Sequence, residues 1–145
     1  MSLSKLINRQ KMSIVEEAAT FFKEKDGFNF RILDSEGLNI PHFHVYYKTI
    51  ELACLKFNEP EYFLHGKHTG TLSRDDLKTV NKLLDKRIYG SKTIFQYGAE
   101  KWNEIYSISS VSQSIVDPYN KPDYNQANKT LSPKDVNIIK YNFIQ

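Results

Sequence analysis

The stretch Pro41-His42-Phe43-His44-Val45-Tyr46-Tyr47-Lys48-Thr49-Ile50-Glu51-Leu52-Ala53-Cys54-Leu55-Lys56-Phe57 decides the fold. Side chains alternate across a β-strand, so His42 and His44 emerge on one face while Phe43 and Val45 take the other. Lys48-Thr49 reads as a two-residue turn, and Ile50 to Phe57 returns as the antiparallel partner. In that register Cys54 pairs with Phe43 and faces away from the histidines, whereas a slip of one residue reverses its face. A lone cysteine in an apolar strand reads as core, and the expected ligand set leaves it out.

All four histidines of the chain lie between Pro41 and His68. The second pair stands in Leu64-His65-Gly66-Lys67-His68, where Gly66 permits a tight turn that aims both rings inward. Neutral imidazole is a zinc ligand, and a structural zinc closes at four ligands while a catalytic one keeps a place for water. The sequence therefore predicts a structural zinc held by His42, His44, His65 and His68. Neither His-Glu-x-x-His nor a deaminase-type His-x-Glu with Pro-Cys-x-x-Cys is present, and no motif specifies a catalytic base.

Outward from the hairpin, Phe28, Phe30 and Ile32 alternate with polar residues as a half-buried strand, and Asp34-Ser35-Glu36-Gly37 turns into the histidine strand. Glu61 to Leu64 forms a short strand that delivers His65. Before these, Ser13-Ile14-Val15-Glu16 has capping-box form and Val15, Ala18, Ala19 and Phe22 a helical stripe, predicting a helix that ends at Asp26-Gly27. A second helix opens at Ser73-Arg74-Asp75-Asp76, with Leu77, Val80, Leu83, Leu84 and Ile88 inward and Gly90 at its end. Asp75 and Asp76 complement its dipole rather than serve the histidines. A short helix after Gly98 carries Trp102 as a core anchor, with Ile105 and Tyr106. From Ser107 to Pro133 the chain turns polar and proline-broken, as a loop or linker does, and Ser132-Pro133 reads as the cap of a helix with Val136, Ile139 and Phe143, while the β-branched and aromatic content there also suits an edge strand. The sum is an α+β fold: a small antiparallel β-meander of three to four strands packed against two to three helices, with a long polar C-terminal extension. One domain spans 1–145, with its core at about 13–106 and the extension at 107–145.

The chain has 145 residues, enough for a core without disulfides, and its single cysteine permits no internal one. No apolar run has membrane-span or signal-peptide length, so a cytoplasmic protein is expected. A net charge of +3 with interspersed acids indicates neither strong intrinsic nucleic-acid binding nor a DNA mimic. Nine Phe and nine Tyr suit either a core or a protein-binding surface.

Pro41-His42-Phe43-His44-Val45, with the following hairpin strand, the capped helix and Trp102-Asn103-Glu104, resembles a family of small bacterial proteins of unknown function. That family's signature is Pro-Pro-His-Phe-His-Val; Ile40 replaces its first proline. The resemblance covers about Phe28 to Glu104, and His65 and His68 are not in the signature. Members often lie in gene pairs resembling toxin–antitoxin modules, which implies an antitoxin-like partner binder. In size, composition and organisation the chain is also similar to the type II anti-CRISPR proteins of phages and mobile elements, which block the RNA-guided nuclease Cas9 by direct binding. That resemblance implies a Cas9 inhibitor acting through protein contact without DNA mimicry. The alternative is a metal-dependent hydrolase or nuclease that uses the same histidines.

Overall fold

The structure, a computed structural model, describes residues 20–23, 27–33, 39–64, 71–106 and 109–131. In chain order the elements are β1 (Thr20–Lys23), β2 (Phe28–Arg31), β3 (His42–Tyr47), β4 (Ile50–Lys56), β5 (Glu61–Phe63) and α1 (Arg74–Leu84). They continue with β6 (Arg87–Tyr89), β7 (Lys92–Thr93), α2 (Ile94–Ile105), α3 (Gln113–Val116), a 3-10 turn over Tyr124–Gln126 and β8 (Asn128–Thr130). Six strands form one sheet in the order β1-β2-β3-β4-β5-β8, antiparallel except where β8 joins β5 in parallel. The strands β6 and β7 make a separate ribbon. The fold is thus α+β with a mostly antiparallel sheet, and the expected meander is its β2–β5 portion.

The hairpin turn falls at Lys48-Thr49, with Lys48 at φ 55°, the left-handed conformation that lets a two-residue loop follow the twist of its strands. Tyr47 pairs with Ile50 and Tyr46 with Glu51, but Val45 then pairs with Ala53 and His44 with Cys54. Leu52 is the extra residue of a β-bulge, and beyond it every partner is shifted by one.

The face bearing Phe43 and Val45 packs on the helices. Phe30, Phe43, Leu55 and Phe57 are fully buried in one cluster with Leu77, Val80 and Leu84 of α1 and Ile94, Phe95 and Trp102 of α2. Ring centroids 4.8 Å apart for Phe43–Phe57 and 5.4 Å for Phe57–Phe95 mark its centre. The helix α1 begins as expected: the Ser73 hydroxyl accepts from the Asp76 N–H, and the Asp76 carboxylate accepts from the Ser73 N–H, each at 3.0 Å. It stops at Leu84, so Ile88, expected on its inner face, stands in β6 and is 51 % exposed. The helix α2 starts before Gly98, because Thr93 and Gln96 close a capping box of their own.

Two expectations are overturned. Thr20–Lys23, assigned to a helix, is the edge strand β1; residues 13–19 of that assignment lie outside the described residues. A bulge between Thr20 and Phe22 turns both Phe21 and Phe22 onto Phe30, at centroid distances of 5.8 and 5.5 Å, a burial of adjacent residues that a one-sided helical stripe does not explain. The polar segment after 106 is also structured where it is described, from 109 to Leu131. Val111, Tyr124 and Ala127 belong to the same core cluster, the Tyr124 hydroxyl donates to the Lys56 carbonyl, and the Tyr124 N–H donates to Asn81 Oδ1 at 3.0 Å. The helix expected over Val136, Ile139 and Phe143 lies outside the described residues.

Candidate metal centre

The opposite face of β3 and β4 carries the chemistry. His42 and His44 stand side by side with ring centroids 5.3 Å apart, and both are 1 % exposed. The bulge at Leu52 brings Cys54 opposite His44, onto the histidine face, which corrects the expected register in which Cys54 pairs with Phe43. Its buried Sγ lies 3.3 Å from His44 Nδ1 and 3.9 Å from Nε2. One donor atom from each of His42, His44 and Cys54 lies within 4.8 Å of the others. Tetrahedral zinc, with Zn–S of ~2.3 Å and Zn–N of ~2.0–2.1 Å, places its S and N ligands about 3.6 Å apart. The Sγ–Nε2 separation is within a few tenths of an ångström of that value, but Sγ lies nearer Nδ1, so the His44 ring and the thiol must turn relative to each other before Nε2 and Sγ share an ion.

Hydrogen bonding selects the ligand atoms. His42 Nδ1–H donates to the Ile40 carbonyl at 2.7 Å, and His44 Nδ1–H donates to the Glu51 carboxylate. With both Nδ1 atoms protonated, the lone pairs sit on Nε2, the arrangement that orients metal-binding histidines. The rings of Phe63 and Trp102 lie 5.4 and 5.3 Å from His42 and form an apolar wall. Beyond His44, Tyr46 has its hydroxyl pKa raised, chiefly by burial and then by the Glu51 carboxylate, against the opposite pull of His44 and Arg31.

The same geometry argues against a cysteine nucleophile. Glu51 and Cys54 both approach His44 at Nδ1, whereas a relay needs the thiol and the orienting acid on opposite ring nitrogens. Asp75 is exposed and Asp76 is bonded to Ser73, as their reading as helix-end charges requires. The acid that meets the histidine pair is Glu51, bonded to His44, and sequence reasoning missed it. The only available signal was its place three residues before Cys54, and in a regular strand that spacing puts the two on opposite faces. His65 and His68, the other two expected ligands, lie outside the described residues.

No protein-family model, curated protein or solved structure matches this chain. No helix among the described residues is long and apolar enough to cross a membrane.

Proposed function

We propose that this protein is a small zinc-binding domain in which the metal fastens β3 to β4 and the folded unit acts by gripping another protein. The observation that carries the zinc reading is the convergence of His42, His44 and Cys54 with both histidine Nδ1 atoms already tied off. Two imidazoles and a thiolate make a zinc-type donor set, and the fourth position falls to His65 or His68 in this reading. A structural role agrees with the burial of all three described ligands. Partner binding is supported by Tyr47 and Ile50, cross-strand neighbours at the hairpin tip that are 40 % and 47 % exposed.

The resemblance to type II anti-CRISPR proteins names Cas9, in a bacterial cytoplasm, as the partner to try first, and the mild positive charge fits a contact other than mimicry of DNA. The test has two arms. Elemental analysis of protein purified without a metal-affinity tag is expected to give one zinc per chain, and metal-free, well-folded protein refutes the site. In a pull-down with Cas9 and guide RNA, co-elution with loss of target cleavage is expected. No complex removes Cas9 as the partner, and metal-dependent cleavage by the small protein alone overturns the binding reading in favour of a hydrolase.

A further inference from the structure

Every fourth residue along α1 is a cation: Arg74, Lys78 and Lys82, followed two residues past the helix end by Lys86, with Arg87 beside it. All five are exposed. The Lys86 N–H donates to the Leu83 carbonyl at 3.0 Å, so the last turn carries on to that lysine. Helical residues four apart share a face at about 6 Å intervals, so the charges form a row roughly 18 Å long on the side away from the buried Leu77, Val80 and Leu84. Two of the acids interspersed with them in the sequence are engaged elsewhere. Asp76 closes the cap on the Ser73 N–H, and Asp85 accepts from the Tyr119 hydroxyl and lies 3.7 Å from Lys121 Nζ. Asp75, exposed in the first turn, does share the face, so the positive field is strongest from Lys78 to Arg87. Arg74 donates to the carbonyls of Ala127 and Asn125 at 2.9 and 3.3 Å, and Arg87 to that of Ser91, bonds that hold both in place without cancelling their charge.

We infer that this face of α1 binds the phosphodiester backbone of a nucleic-acid duplex, weakly and without reading its bases. The inference goes beyond the protein-gripping reading and does not depend on the zinc site. The make-up of the face selects the occupant. From Arg74 to Lys82 its exposed positions are Arg74, Asp75, Lys78, Thr79 and Lys82, with no apolar side chain among them. Protein interfaces centre on apolar and aromatic residues and are depleted in lysine, and amphipathic helices that lie on membranes carry an apolar stripe to insert, so neither suits this row. A duplex needs none of that. It presents one negative charge for about every 1.7 Å of its axis, so a row of this length meets phosphate wherever along the helix it settles. An unpaired strand is held by stacking its bases on open aromatic rings. Beyond Arg87, Tyr89 and Tyr97 instead stack on each other with centroids 4.1 Å apart, and Lys101 Nζ lies 5.4 Å from the centre of the Tyr97 ring. The net charge of +3 keeps the long-range attraction mild, which makes the contact weak and salt-sensitive.

The experiment measures binding of the untagged full chain to short fluorescent DNA and RNA duplexes by anisotropy, across about 50–200 mM salt, with a DNA single strand, polyglutamate and phosphatidylserine vesicles as rival ligands. Both duplexes are expected to bind with Kd on the order of micromolar at the low-salt end, and log K to fall with log salt at a slope of about −3, the value for three to four phosphate contacts. Lys78→Gln/Lys82→Gln is expected to weaken duplex binding about tenfold and to flatten the slope by about two. Lys23→Gln/Lys48→Gln removes the same charge from exposed sites on β1 and the hairpin turn and is expected to change binding little. Asp75→Asn, which takes the acid out of the row, is expected to tighten binding about twofold. Absence of duplex binding by the parent at low salt, an equal loss in the two lysine pairs, or tighter binding of any rival ligand overturns the inference. If Lys78→Gln/Lys82→Gln lowers the melting temperature substantially, Asp75→Asn decides: a gain supports the inference and unchanged binding refutes it.

Discussion

Gly98→Ala sets two known effects against each other at the place where β1 meets α2. In an exposed helix interior the change stabilises by about 1 kcal/mol, because glycine gives up the most backbone freedom on folding. At Gly98 a Cβ would lie 2.6 Å from Phe21 Cε2, 2.8 Å from Cζ and 3.0 Å from Cδ2. Carbon atoms pack at roughly 3.5–4.0 Å, so the ring or the helix must move. The ring has little freedom: Phe21 is 3 % exposed, stacks on Phe30 and meets Phe43 edge-on at 5.6 Å. Overpacking a filled core costs about 1–3 kcal/mol, and so deep an overlap belongs in the upper half of that range. The sum is a net loss of about 1–2 kcal/mol, or roughly 3–8 °C in melting temperature for a chain of this size. Urea and thermal unfolding followed by circular dichroism would measure it. Adding Phe21→Leu is expected to recover about 1–2 kcal/mol of coupling energy, because the two sites touch. A Gly98→Ala protein more stable than its parent would mean that propensity wins, that Phe21 does not lie against α2, and that the strand assignment of Thr20–Lys23 is wrong.

Cys54→Ser is expected to weaken zinc by more than the ~100-fold that loss of an outer hydrogen-bond partner can cost, and to abolish the sulfur-to-cobalt charge-transfer band of the Co²⁺-loaded protein; an intact band would remove Cys54 from the ligand set. Either His65→Ala or His68→Ala, but not both, is expected to weaken zinc comparably, since two histidines and one thiolate leave a tetrahedral ion a single position. Unaltered zinc titrations in both variants would give that position to water or to another residue. Tyr124→Phe deprives the Lys56 carbonyl of its hydroxyl donor and is expected to cost about 1–2 kcal/mol in denaturant unfolding, while Tyr124→Ala, which opens a cavity, is expected to cost about 3–5 kcal/mol. No change in either would detach residues 111–131 from the folded unit.

What the sequence disclosed, and what it hid, follows the range of the interactions involved. The histidine strand, the turn at Lys48-Thr49 and the Ser73 cap are local patterns, and each stands where its residues put it. Trp102 was legible as a core anchor because a large aromatic ring at helical spacing from Ile105 has few other roles. The bulge at Leu52 was not legible, since no residue type announces it, and with it went the face of Cys54 and the part played by Glu51. The helical reading failed at Thr20–Lys23 because a capping-box pattern and an apolar stripe are local signals, whereas Phe21 and Phe22 answer to Phe30 across the sheet. The arm beyond residue 106 read as loop because its composition is polar, yet Val111, Tyr124 and Ala127 are placed singly, each buried by distant partners rather than by a periodic stripe.

The parallel pairing of β8 with β5 has a consequence for the nascent chain. Once Phe63 has left the ribosome, its strand offers an open hydrogen-bonding edge next to the cysteine strand, and the segment that closes it, Asn128–Thr130, is made only after both long helices. At ordinary translation speeds that interval is on the order of several seconds, long compared with the microseconds in which a hairpin closes. Throughout it, a strand from another polypeptide can take the place reserved for β8. The late-arriving segment is Asn-Lys-Thr, polar throughout and with Lys129 exposed, so among the described residues the sheet ends on a strand whose composition discourages further pairing. A ribosome stalled before Thr130 would release a chain with its histidine–cysteine hairpin complete and its sheet still open to polymerisation.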